Sequence, residues 1–324
     1  MDLRKLKVVT FFEREKKPSK GLLAAEWVVM GYLLLTLLLM LFTYTKLHNP
    51  ESMLFGRVRV VVITAALWLV YRMWPCRLTR FSRVAAQMAL LSWWYPDTYE
   101  FNRLFPNLDH LFATWEQQMF GCQPALLFSR CLSHPVVSEL MDMGYAAYFP
   151  MIAVVTLFYF FWRYADFGRA SFVILASFFT YYIIYIALPV AGPQYYYCAV
   201  GIDDIARGVF PDIHDWFATH QEALESPGYK DGFFYQCVAD AHAAGERPTA
   251  AFPSSHVGVS TILMLLAWKS GSRRLLWLLT PFYVLLCFST VYIFAHYAID
   301  VFGGWISAFV FFFAFYYVYP FVKD

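Results

Sequence analysis

Residues 22–44 read LLAAEWVVMGYLLLTLLLMLFTY, an apolar run with one charge, Glu26. A helix rises 1.5 Å per residue and the hydrocarbon core of a bilayer is about 30 Å thick, so about 20 apolar residues cross it. The run is long enough, and it sets the solvent against which the rest of the chain is read. Comparable runs lie near Val58–Trp74, Leu140–Trp162, Ala170–Val190, Ser254–Trp268, Leu275–Ala295 and Ile299–Tyr319. A shorter one at 84–95, VAAQMALLSWWY, ends at Pro96. Over all 324 residues, 60% are hydrophobic, 21% aromatic and 15% charged, which no soluble enzyme resembles. A net charge of +2, with no basic run among stacking aromatics in a polar context, sets nucleic acid aside.

Lys and Arg concentrate in cytoplasmic loops. With about eight spans and both termini inside, most of the 25 Lys and Arg fall on the cytoplasmic side, among them Lys7, Arg77, Arg80, Arg83, Arg163, Arg169, Arg273 and Arg274. The expected fold is therefore an all-α polytopic bundle in one integral-membrane domain. Residues 1–139 supply N-terminal spans and interfacial helices, and 140–324 the catalytic core. The first span follows a basic stretch without a small-residue cleavage site, which reads as an anchor. The outer stretch 96–139 reads as amphipathic interfacial helices, and 191–253 as a polar, acidic loop. Asp203, Asp204, Asp212 and Asp215 in that loop read as solvated acids. Of the six cysteines, Cys198 and Cys237 are placed to pair across it in an oxidising compartment, with unpaired apolar thiols the equal alternative. No spacing resembles a zinc site.

Three elements carry chemistry. Pro253-Ser254-Ser255-His256 opens a span, and its first backbone N–H groups make an anion site beside His256. His296-Tyr297-Ala298-Ile299-Asp300 puts an imidazole and a carboxylate one turn apart if the run is helical. Asp300 would then fix the tautomer of His296 and leave its other nitrogen as a nucleophile. The third element, ALPVAGPQYYY at 187–197, ends a span at its outer boundary and places Gln194 and Tyr195 there. A histidine near a span end is also an ordinary interfacial residue, and a His–Asp pair an ordinary structural bond. Two histidines on one side of the bilayer, one with its own acid, favour chemistry over both.

FPSSHVGVS at 252–260 and STVYIFAHYAIDVFGG at 289–304 resemble the second and third signature motifs of the type 2 phosphatidic acid phosphatase superfamily, Pro-Ser-Gly-His and Ser-Arg-x5-His-x3-Asp. The resemblance covers the C-terminal half. It implies that His296 attacks phosphorus, Asp300 orients it and His256 protonates the leaving oxygen. Three departures stand out: Ser255 replaces the glycine, Thr290 replaces the arginine after Ser289, and the first motif, Lys-x6-Arg-Pro, is absent around Pro189. A phosphate monoester carries about −1.5 to −2 charges, a diester one, and a site with so few cations suits the diester. In this the chain is similar to the branch of fungal inositol phosphorylceramide synthases and sphingomyelin synthases.

The expected reaction moves a phospho-head group from a glycerophospholipid donor to a lipid or alcohol acceptor, without metal or cofactor, on the non-cytoplasmic face of the membrane. Ser254, Ser255, Gln194, Tyr195, Ser289 and Thr290 are the candidate substrate-binding residues, the backbone N–H groups at Ser254 and Ser255 holding the phosphoryl oxygens. A cavity among the last five spans, opening to the bilayer and covered by the 191–253 loop, would receive the lipids. Water as acceptor would make a lipid phosphate phosphatase or a phospholipase C-like hydrolase, with Arg207, Lys230 or Arg247 folding back as cations. A lipid-binding or transport protein on the same scaffold would need neither histidine.

Overall fold

A computed structural model describes residues 9–322, which are mostly helical, with no strand among the described residues. In chain order the helices are Val9–Phe12 (α1), Ala24–Thr43 (α2), Pro50–Met73 (α3), Arg77–Ala89 (α4), Leu91–Asn102 (α5), Asp109–Phe120 (α6), Pro124–Cys131 (α7) and Pro135–Ala146 (α8). Tyr148–Trp162 (α9), Tyr164–Ala187 (α10), Pro193–Val200 (α11), Ile202–Ala206 (α12), Phe233–Gly245 (α13), Ser255–Lys269 (α14), Arg273–Tyr292 (α15) and Ala298–Val322 (α16) follow. The starts have local causes. Pro50, Pro124, Pro135 and Pro193 open helices at the position where no N–H is needed. Ser254 and Ser272 cap α14 and α15, accepting from the Val257 and Leu275 amides at 3.3 Å each.

Among the described residues, five helices are long and apolar enough to cross a membrane, α2, α3, α10, α15 and α16, and the bent pair α8–α9 makes a sixth if it crosses as one. Two of the eight expected segments fall short. At 84–95 the chain forms the end of α4 and the start of α5, with Pro96 inside α5 and not at its end. Helix α14 has 15 residues, about 22 Å of rise. Its buried positions run nearly all round it, as expected of a helix enclosed by protein.

The chain divides into two compact units, one of residues 1–97, 156–180 and 311–324, the other of 98–155 and 181–310. In the first, two buried arginines are each paired with a carboxylate. Arg57 makes a two-pronged bond to Asp97, Nη1–Oδ1 3.0 Å and Nη2–Oδ2 2.8 Å, and Arg83 is bonded through two nitrogens to Glu26. All four are almost fully buried.

In the second unit, α15 packs against α8 and α14, and α13 against α8. The approach of α16 to α14 depends on glycine. A Cβ on Gly304 would lie 2.7 Å from the Ser254 carbonyl oxygen, and one on Gly258 would lie 3.2 Å from the Gly304 oxygen and collide with the Tyr181 hydroxyl. Those two helix starts are the ones that carry the two motif histidines.

Candidate active site

His256 occupies the first turn of α14, and His296 the turn between α15 and α16. Their side chains meet, with His296 Nε2 3.4 Å from His256 Nδ1 and ring centroids 5.6 Å apart at 65°. Two tyrosines at the break between α8 and α9 hold His256 from the other side. Tyr145 stacks on it at 4.6 Å, and Tyr148 lies 4.4 Å away at 45°.

The helix expected from His296 onward starts two residues later, at Ala298. Phe294 has a φ of 69°, which interrupts the backbone between α15 and α16. His296 therefore lies in the turn before α16 and Asp300 in its first turn, with the two side chains still facing each other. Asp300 Oδ2 stands 3.5 Å from His296 Nδ1 and takes the Tyr297 amide at 2.8 Å, an N3 carboxylate returning to its own N-cap. The Nδ1 of His296 bonds instead to the Ala251 carbonyl oxygen at 2.8 Å. A carbonyl only accepts, so Nδ1 carries the proton and Nε2 presents its lone pair toward His256. Burial holds the His296 imidazole down to about 4, so it is neutral near pH 7. Ala251 itself follows Ala250, a second non-glycine residue with positive φ, 72°.

The anion site expected at the start of α14 is mostly taken. The Ser254 amide donates to the Asp300 carbonyl oxygen at 3.1 Å, the Ser255 amide to the Tyr185 hydroxyl at 3.0 Å, and the Val257 amide to the Ser254 hydroxyl. Ser254 is thus a cap, and Ser255 is only half-buried. Among the described residues, the His256 amide is the first-turn N–H left without a protein acceptor. Ser289 and Thr290 are fully buried, and their hydroxyls return to the Leu286 and Cys287 carbonyls of α15. The Thr290 carbonyl, however, receives the His296 amide at 2.9 Å. Gln194 and Tyr195 are buried. The Gln194 amide donates to Phe294, which ties the 187–197 turn to the His296 turn, and Tyr195 packs edge-on against Phe217.

Of the three loop cations, Arg207 and Lys230 are bonded to Asp204 and Glu225 at the exposed surface. Arg247 donates to the Glu246 carbonyl. The Glu246 side chain acts electrostatically on His296 and pairs with His242 at 2.9 Å. Tyr145 stands edge-on to His242 at 5.8 Å and face-on to His256, so this pair lies beside the two imidazoles. All six cysteines, Cys198 and Cys237 included, are free thiols.

Two imidazoles in contact at adjoining helix starts, in the motif order of the sequence, agree with the match of residues 109–314 to the family model of the PAP2 superfamily. The chain belongs to the PAP2 superfamily. PAP2 proteins are phosphatases or phosphotransferases acting on lipid phosphates, and this chain is an integral-membrane enzyme of that class. No curated protein and no solved structure matches it.

The PAP2 match begins at the first residue of α6, a helix that the sequence reading assigns to the interface. Its buried face carries Asp109, Phe112, Ala113 and Glu116. Asp109 accepts the Ala191 amide at 2.6 Å, the Gly192 amide at 2.8 Å, the Tyr297 hydroxyl at 2.9 Å and the Asn107 side-chain amide at 2.6 Å. Glu116 Oε1 accepts the amide of Ala298 at the start of α16, and the Ile299 amide acts on the same carboxyl electrostatically. Burial, with a smaller push from Asp300, raises the Glu116 carboxyl to about 8. The signal in the sequence was two acids seven residues apart, hence on one helical face, with Phe112 and Ala113 between them.

Proposed function

We propose that this PAP2 enzyme transfers a phospho-head group from a glycerophospholipid to a lipid or alcohol acceptor through a phosphohistidine on His296. The observation that carries the reading is the pairing of His296 Nδ1 with the Ala251 carbonyl, which leaves the Nε2 lone pair facing His256 Nδ1 at 3.4 Å.

His296 Nε2 attacks phosphorus, the bond from phosphorus to the diacylglycerol oxygen breaks, and His256 gives that oxygen a proton. The acceptor hydroxyl then attacks the phosphohistidine, passes its proton to His256, and releases His296 as the phosphorus–nitrogen bond breaks. In-line attack needs about 3–3.5 Å from nitrogen to phosphorus, and the acid must also reach the oxygen on the far side. The 3.4 Å contact between the imidazoles is shorter than that whole path, so His256 withdraws from His296 to admit the phosphoryl group. With no lysine or arginine among the described residues bonded at the imidazoles, a singly charged diester suits the site better than a monoester. Asp300 contributes by fixing the first turn of α16, and Gln194 and Tyr195 by shaping the head-group end. The distribution of loop Lys and Arg favours the non-cytoplasmic face for this chemistry.

The test incubates purified protein with head-group-labelled phospholipids in micelles, with and without ceramide or diacylglycerol. A labelled lipid product is the expected result, lost in H256A and H296A. Released phosphate or phospho-alcohol would make the protein a hydrolase, and full turnover in H296A would remove the nucleophile.

A further inference from the structure

The two carboxylates on the buried face of α6 take no part in the steps above, yet both reach the residues that aim His296. We infer that Glu116 is a positioning residue for His296, acting with Asp109 to hold the imidazole from two sides. The inference rests on the reading of His296 as the nucleophile.

One route follows the chain. His296 stands two residues before α16, and the direction of its side chain depends on where that helix begins. Asp300 satisfies the Tyr297 amide, and Glu116, from another helix, takes the Ala298 amide. The first N–H groups of α16 are therefore taken by the protein's own carboxyl oxygens, so the turn is steadied and offers no anion site. Asp109 adds the Tyr297 hydroxyl.

The other route reaches the group that His296 points to. Asp109 grips the Ala191 and Gly192 amides. The neighbouring Val190 carbonyl receives the Ala251 amide at 2.9 Å, and the Ala251 carbonyl receives His296 Nδ1. Gly192, at a φ of 95° and with space for no Cβ, which would lie 2.8 Å from the Ala295 oxygen, leaves this turn little room to shift. One rigid helix thus fixes both the backbone that carries the imidazole and the acceptor that sets its tautomer, which is how a supporting shell keeps a reacting group in line.

The experiment compares E116Q and E116A in the labelled-phospholipid assay and reads the His296 tautomer by 15N NMR of histidine-labelled protein. E116Q keeps an oxygen for the Ala298 amide and is expected within threefold of wild-type kcat. E116A is expected to lose about 100-fold in kcat, the scale of a misplacement of about 1 Å, with KM within twofold. Its His296 signal is expected to change from a single Nδ1–H species to a mixture. Wild-type kcat in E116A, or a lost kcat with the Nδ1–H signal unchanged, would overturn the inference. Should E116A not fold, E116D, one methylene shorter, carries the same expectations. Should wild type turn over no phospholipid, the function proposed above fails, and the NMR comparison alone still decides whether Glu116 positions His296.

Discussion

His296 Nδ1 lies 2.8 Å from the Ala251 carbonyl oxygen and 3.5 Å from Asp300 Oδ2. The shorter contact is the one that dictates which nitrogen holds the proton. Asp300 spends the same oxygen on the Tyr297 amide. It therefore acts on the nucleophile through the helix start more than through the imidazole.

This ranking predicts a mild D300N variant. Asparagine retains an oxygen that can cap Tyr297, so kcat should fall by no more than about tenfold, whereas loss of an orienting triad aspartate costs about 10⁴. D300A removes the cap as well and should lower stability by about 1 kcal/mol. Steady-state rates and thermal midpoints of both variants check this, and a 10⁴-fold loss in D300N would return the orienting role to Asp300.

The buried imidazole makes a second prediction, in pH. Folded His296 releases its proton at about 4, against about 6.5 for an unperturbed histidine. Between those values the unfolded chain holds the extra proton, so stability rises with pH across that window and is fully present above about 6.5. The contribution is about 3 kcal/mol, from the separation of the two values. Because Nε2 stays unprotonated down to the same region, the acid limb of kcat/KM should lie near 4. An acid limb near 6.5 would mean that burial does not set the nucleophile's protonation.

Much of this was legible in the sequence for local reasons. The run at 22–44 forms a membrane-length helix because length and composition suffice, and Ser254 caps α14 because a hydroxyl at that position needs only its own next turn. The motifs set His256 and His296 on one side of the bilayer, and their contact at 3.4 Å is what the structure adds. What the sequence could not display is set by distant partners. The one-turn spacing of His296 and Asp300 implied a helix, but Phe294 bends the chain and α16 begins at Ala298. The backbone N–H groups at Ser254 and Ser255 seemed open to phosphate, but the Asp300 carbonyl and the Tyr185 hydroxyl, 46 and 70 residues away in sequence, occupy them. Asp109 and Glu116 sit on a helix whose amphipathic pattern reads equally as an interfacial one, and their acceptor role appears only when Ala191 and Ala298 arrive.

The close crossing of α14 and α16 predicts that G304A separates the histidines. A methyl there meets the Ser254 oxygen at 2.7 Å and the Val257 Cβ at 3.1 Å. Overpacking of this kind costs about 1–3 kcal/mol, and relief requires α16 to move off the helix that carries His256. Turnover should fall at least tenfold in G304A with a lowered thermal midpoint. G31A, which meets nothing within 4 Å, should match wild type in both measurements.

Restoring the arginine of the third motif should fail for a physical reason. Thr290 is fully buried, its hydroxyl donates to the Cys287 carbonyl at 3.1 Å, and its own carbonyl receives the His296 amide at 2.9 Å. The position has become packing that supports the nucleophile's turn. In T290R a guanidinium would enter this space without a carboxylate bonded there, and an unpaired buried charge costs several kcal/mol. T290R should yield little folded protein by size-exclusion chromatography in detergent. T290S, which keeps the hydroxyl, should fold and turn over labelled phospholipid at close to the wild-type rate. A well-folded T290R that hydrolyses phosphate monoesters would instead show that the site retains room for the missing cation, and the preference for a diester would then rest on that one side chain.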